Sequence, residues 1–406
     1  MQRLSDGHGL LVGGTSIGNL FSGDAERSYL TAATVDDPAR EARRSHVLDW
    51  FFVSPYAYLR WLVLSIGEVM KEILQAQGER LRGIQPRGDR GHPYPLARAA
   101  TNVILRHLVT SLVIEELYRG APVIYADLVD YDEIAHHAGI ERVEARDALR
   151  GIDRIVGLIE KAALDVPRAY RIVVLSDHGQ SPGATFRQRH GERLEDVIAR
   201  LMGGNVSVNA ATARAEHAGR FARLVAEAPS IGGRPRRDRS GPGTQPDLVV
   251  AASGNLAQVS FPHLEGRATR EAIDTRYPDL IDTLARHPGV GLLLVRSAAD
   301  GPLVIGRDRA TRLEAVAELI DRYGPYARDG LRRVDAMSNC GDIVVLSEFD
   351  PGSGEVAAFE DQIGSHGGLG GWQSSALILH PKEWSLGGRI VGAPELHRAI
   401  RAWLVR

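Results

Sequence analysis

One cysteine, Cys340, stands in 406 residues, which rules out an internal disulfide framework and removes any need for an oxidising compartment. Neither sign of charge is in excess. The 49 Lys and Arg residues nearly cancel the 51 Asp and Glu residues, leaving a net charge of -2, so no overall field recruits nucleic acid or an anionic membrane. Long uncharged apolar runs are missing as well. The most apolar stretch, VLDWFFVSPYAYLRWLVLSIGEVMKEIL at 47–74, is broken by Asp49, Arg60 and Glu68 and contains Pro55, and so falls short of the roughly 18 residues a spanning helix needs. It reads as a buried or partner-facing helix pair, with a segment lying along a membrane interface as the alternative. The first residues run into glycine-rich sequence without the apolar core of a secretory signal, so a cytoplasmic location is expected, with membrane association through 47–74. Internal repeats and extended heptads are absent.

What is present is enough apolar content, 44%, for a large core, arranged as short apolar runs alternating with helical patterns. The most informative stretch is IVVLSDHGQS, Ile172 to Ser181. Four apolar residues predict a buried parallel strand, and Ser176-Asp177-His178-Gly179 then puts a carboxylate and an imidazole at its carboxyl end, where open α/β sheets bind ligands. Upstream, Ala121 to Tyr125 reads as another strand, followed by ADLVDYDEIAHHAG at 126–139. A helix over about 141–163, with Leu149, Ile152, Val156 and Ile159 as its buried stripe, closes a β-α-β unit. Such a crossover makes the two strands parallel and their carboxyl-end loops neighbours. Further strands are expected at 248–251, 291–295, 343–346 and 376–379, and helices at 101–117, 187–202, 313–323 and 395–404.

A third cluster lies near the C-terminus in GSHGGLGG, where glycines surround His366. Carboxylate oxygen and neutral imidazole nitrogen are the donors suited to Zn²⁺, Mn²⁺ and related ions, and Asp132, His136, Asp177, His178 and His366 are enough donors for two of them. In this order and separation, D-x-x-x-H followed by Gly139, then S-D-H-G, then S-H-G, the sequence resembles the alkaline phosphatase superfamily, in its type I phosphodiesterase and nucleotide pyrophosphatase branch. The resemblance implies a three-layer α/β/α fold with a mostly parallel sheet. It implies two divalent metal ions, Zn or Mn, with Asp132, His136 and His366 on one and Asp177 and His178 on the other. It also implies hydrolysis of a small-molecule phosphate ester at a two-metal site about 4 Å across.

The family's opening strand, with its metal-binding Asp and its Thr or Ser nucleophile loop, has no clear counterpart. Asp6 has too few residues before it, residues 5–24 read as glycine-rich loop, and Thr15 is the one candidate nucleophile. The resemblance therefore covers 121–406 as a metal-binding domain, N-terminally incomplete, after a helical and loop region at 1–120. The rival class is a non-catalytic, membrane-associated or partner-binding protein keeping a degenerate metal site. Among neighbouring residues, Asp130 is an alternative ligand to Asp132, and Asp127, Glu133 and His137 read as solvated groups or supports. Glu360 is a candidate support for His366. His190 reads as a surface residue and Cys340 as a small buried one, without the C-x-P-x-R context of sulfate ester hydrolysis. The arginines of 80–98 read as a solvated connector, and those of 231–246 as a flexible basic loop.

Overall fold

The computed structural model describes residues 8–31, 54–204, 206–211, 246–315 and 318–404. The basic loop at 231–246, Asp6 and the start of the 47–74 segment lie almost wholly outside them.

Strand β1 (Thr15–Ile17) is the middle of a three-stranded parallel sheet, between β2 (Arg27–Tyr29) and β3 (Ile124–Ala126). The glycine-rich stretch read as loop thus contains a fully buried strand. Its glycines are what allow the fit, since a Cβ on Gly14 would lie 2.4 Å from the Val123 carbonyl oxygen. Helices α1 (Pro55–Leu81) and α2 (Arg106–Arg119) pack on this sheet, with Ile17, Tyr29, Trp61, Leu108, Leu112 and Leu117 in the shared core. A π-helical turn, Ala100–Leu105, leads into α2. Within the described part of the apolar segment, from residue 54 on, the chain forms the 27-residue α1, with Pro55 at its first turn, where proline costs no hydrogen bond, and Ser54 as its cap.

After β3 come α3 (Asp130–Ala138) and α4 (Val143–Ala162), the latter within two residues of its expected bounds. Of the stripe expected on α4, Leu149 is exposed, while Ile152, Val156 and Ile159 are half-buried and Ile159 packs on the core of α1 and α2. The most deeply buried residues of α4 are Glu144, Ala145, Ala148 and Gly151, and the Arg106 guanidinium lies over the last of these: a Cβ on Gly151 would come within 2.8 Å of its Nη1. Strand β4 is only Val174–Leu175, half-buried, and pairs antiparallel with Ile378–Leu379, not parallel with β3.

The largest sheet has seven strands. In chain order these are β5 (Val208–Ala211), β6 (Leu248–Ser253), β7 (Leu256–Ser260), β8 (Val290–Ser297), β9 (Gly301–Ile305), β10 (Ala310–Arg312) and β11 (Ile343–Ser347), in the spatial order β10-β9-β8-β11-β7-β6-β5. Only β5 and β6 are parallel, and the other pairings are antiparallel, so the sheet is mixed where a mostly parallel one was expected. Leu293, Val295, Ile343 and Val345 enter the core shared with helices Leu194–Leu201 and Leu280–Arg286. Their neighbours Leu292, Leu294, Val344 and Leu346 enter a second core against Ala327–Asp335. A sheet covered on both faces explains the unbroken apolar runs GLLLV and IVVLS, and gives the α/β/α layering expected.

Candidate metal centre

The site is built from three segments distant in sequence. Asp132 and His136 lie one turn apart on α3, so both side chains project from the same face, 3.3 Å apart between Oδ2 and Nε2. His178 and Gln180 follow β4. His366 follows a two-residue strand, Gly364–Ser365, that pairs with Ser181–Pro182. This short ladder holds the two histidine loops together, and Ile363 N–H donates to the His136 carbonyl at 2.7 Å to fix them against α3. Glycine is needed at 364 because a Cβ there would sit 2.5 Å from the Ala135 carbonyl oxygen and 2.6 Å from Gln180 Oε1.

The result is a carboxylate among imidazoles. Asp132, His178 and His366 each offer a ligand atom, all within 4.8 Å of one another. His366 Nε2 is 3.7 Å from Asp132 Oδ1, and the His178 and His366 rings stack at 3.5 Å between centroids. His136 completes the set, its ring 4.9 Å from that of His366. Backbone carbonyls set two of the tautomers. His136 Nδ1 donates to Gly364 at 2.7 Å, and His178 Nδ1 donates to Gly179 at 3.0 Å, which turns Nε2 of each ring toward a carboxylate, Asp132 and Asp177 respectively. Burial alone would lower the His136 pKa, but the Asp132 charge, its hydrogen bond and the Gly364 carbonyl carry it up to about 9. Burial opposes ionisation of Asp132 too, yet the imidazoles of His136, His366 and His178 hold its carboxyl far below the usual range. A carboxylate and oriented imidazoles that attract positive charge this strongly are a fitting donor set for a divalent ion of the Zn or Mn type.

Asp177 stands at the edge of this group. Its side chain is 81% exposed, with Oδ1 3.3 Å from His178 Nε2 and also accepting the His178 backbone N–H. Glu360 accepts the Gly254 N–H at 2.8 Å, and Gly254, at φ +57°, packs so closely under His366 that a Cβ would lie 1.9 Å from the His366 carbonyl oxygen. Glu360 therefore supports the turn beneath His366. Thr15 lies in a different environment. It is fully buried, and its hydroxyl donates to Glu116 Oε2 at 2.6 Å, in a network with Arg27 and Tyr29.

Asp130 pairs with Arg106, not with the imidazoles. Glu133 is buried, which leaves the supporting role of the two expected for it, and lies 3.6 Å from His137, whose ring packs on Tyr94 at 4.0 Å. His190 is half-buried against Phe186 and His287. Cys340 is buried and free, as expected. The residue missed from sequence is Gln180, whose Nε2 donates to Asp132 Oδ1 at 2.5 Å. It lies two residues after His178, but an amide carries no ligand signature of its own.

Residues 66–241 match the family model described as type I phosphodiesterase / nucleotide pyrophosphatase, a range that includes Asp132, His136, Asp177 and His178. A crystal structure of a multiply substituted alkaline phosphatase, PafA, aligns at 14% identity with a TM-score of 0.37 over 73% of this chain and 50% of that one. The chain thus spans half the length of that structure. No curated protein matches the sequence.

Proposed function

We propose that this chain is a divalent-metal-dependent hydrolase of phosphate esters, a phosphodiester being the favoured substrate, with Zn²⁺ or Mn²⁺ as the ion. The observation that carries this reading is the convergence of Asp132, His178 and His366, from three distant motifs, within 4.8 Å. Asp132, His136 and His366 are the donors for one ion and Asp177 with His178 for a second. Bound there, such ions supply a Lewis acid for the phosphoryl oxygens and lower the pKa of an attacking oxygen. The protein's own part is orientation. Gly364 and Gly179 carbonyls fix the imidazoles of His136 and His178, and Gln180 holds the Asp132 carboxylate in place. The exposed Asp177 gives the site an open side through which a substrate phosphate reaches it.

A metal-binding protein without turnover is the second reading. It is favoured by the burial of Thr15, the candidate nucleophile, whose hydroxyl is held by Glu116. Metal content and hydrolysis of bis-p-nitrophenyl phosphate and p-nitrophenyl phosphate, measured with Zn²⁺ or Mn²⁺ for the wild type and His178→Ala, decide between them. Turnover lost in His178→Ala supports the hydrolase. Stoichiometric metal without turnover supports the second reading, and absence of bound metal removes both.

A further inference from the structure

Helix α1 has its acidic residues inside and most of its large apolar residues outside. Ala57, Trp61, Glu68, Glu72 and Glu79 share the face turned to the protein. Glu72 is fully buried and Glu79 nearly so, bound by two buried arginines: Arg90 to Glu72 at 2.5 Å and to Glu79 at 2.9 Å, and Arg98 to Glu68 at 2.8 Å and to Glu72. The arginine-rich connector is therefore an internal clamp. The opposite face presents Leu62, Val63, Ile66, Met70, Ile73 and Leu74, each between 44% and 64% exposed. A stripe of this length on a surface helix marks an interaction site.

Charge says what covers it. All three acidic residues of α1 point inward, whereas Arg60, Lys71 and Arg80 are exposed, Lys71 in a loose solvent-facing pair with Asp147 of α4 at 3.9 Å. Arg80 follows Leu62, Ile66 and Ile73 at helical spacing and so shares their face. It also lines a cavity of about 440 Å³ with Arg87 and Arg187, with Asp89 and Asp361 on the same wall. Tyr56 and Tyr58, both exposed, stand at the other end, the residue type that anchors a helix at headgroup level. Apolar stripe, flanking cations and terminal tyrosines form the pattern of a helix lying in a lipid interface. A second copy of the chain would set like charges against each other. No helix among the described residues is long and apolar enough to cross a membrane.

We propose that α1 lies in the plane of an anionic bilayer surface, its stripe among the acyl chains and Arg60, Lys71 and Arg80 on lipid phosphates. The near-neutral whole chain does not oppose this, because the cations are local to the helix face. The test is flotation of the full chain with vesicles of phosphatidylcholine alone and of phosphatidylcholine mixed with phosphatidylglycerol. The wild type is expected to float with the anionic vesicles and to be released by salt. Leu62→Gln with Ile66→Gln is expected to weaken binding about tenfold or more. Lys71→Glu with Arg80→Glu is expected to remove the preference for anionic lipid, each cation contributing about fivefold. Circular dichroism and melting temperature, unchanged in these exposed-site variants, exclude misfolding as the cause. A wild type that stays at the bottom of the gradient overturns the proposal. So does self-association in sedimentation equilibrium that the Leu62 and Ile66 changes abolish.

Discussion

At the scale of single residues, Asp132 is the hub. Its carboxylate meets three imidazoles and one amide, and two of the imidazoles, His136 and His178, are fixed from behind by backbone carbonyls. Gln180→Leu removes the amide that holds Oδ1, and a 10–100-fold loss of Zn²⁺ affinity is expected, read by competition with a chelating dye. Asp132, His136, His178 and His366, which the fold brings together, all stand in motifs visible in the sequence, because carboxylate and imidazole at motif spacing carry a chemical signature, whereas Asp177 stands exposed at the edge of the group. Gln180 could not, since its role exists only once β4 is laid beside α3. A second pair of histidines makes a different prediction. Burial pushes the pKa of His190 down, helped by Arg189, and burial followed by His190 does the same for His287. Both folded-state values lie below the unfolded value of about 6.5, so the unfolded chain binds more protons as pH falls through that value. Stability contributed by these two groups is present at neutral pH and lost as pH falls below the unfolded value of about 6.5. The melting temperature should drop over that window, and drop less in His190→Gln with His287→Gln.

At the scale of elements, the two-residue strand Gly364–Ser365 joins the site together. Gly364→Ala forces a Cβ against the Ala135 carbonyl oxygen at 2.5 Å, and either α3 or the His366 loop must shift. A loss of about 1–3 kcal/mol in unfolding free energy by urea titration is expected. Reduced metal stoichiometry should accompany it, since the shift separates His366 from Asp132. The clamp on α1 is the other sensitive element. Glu72→Leu leaves Arg90 and Arg98 buried without their common partner, and about 3–5 kcal/mol of stability should be lost by the same titration. The sequence showed α4 and the apolar strands at 291–295 and 343–346 because their patterns are long. It hid β1, a three-residue strand among glycines, and of the stripe on α4 it misplaced Leu149, which is exposed, while Ile152, Val156 and Ile159 are half-buried.

At the scale of the whole molecule, layering was legible and pairing was not. Runs such as GLLLV announce burial on both faces, but a run buried on both faces looks the same in a parallel and an antiparallel sheet. The antiparallel turns between β6 and β7 and between β8 and β9 decide the matter locally. The parallel relation expected between β3 and β4 failed for a similar reason. The partner of β4, Ile378–Leu379, lies some two hundred residues downstream, beyond the reach of any local pattern.

That distance bears on biosynthesis. The hydrogen bond from His136 to Gly364 closes 228 residues of chain, and the entire seven-stranded sheet is inserted within that interval. Loop closure of this size is among the slowest events of folding, and a chain emerging from the ribosome presents Asp132, His136 and His178 long before His366 exists to join them. Until residue 366 has been made, the growing polypeptide lacks one member of the proposed ligand set. The proposed site therefore forms only when motifs 228 residues apart meet.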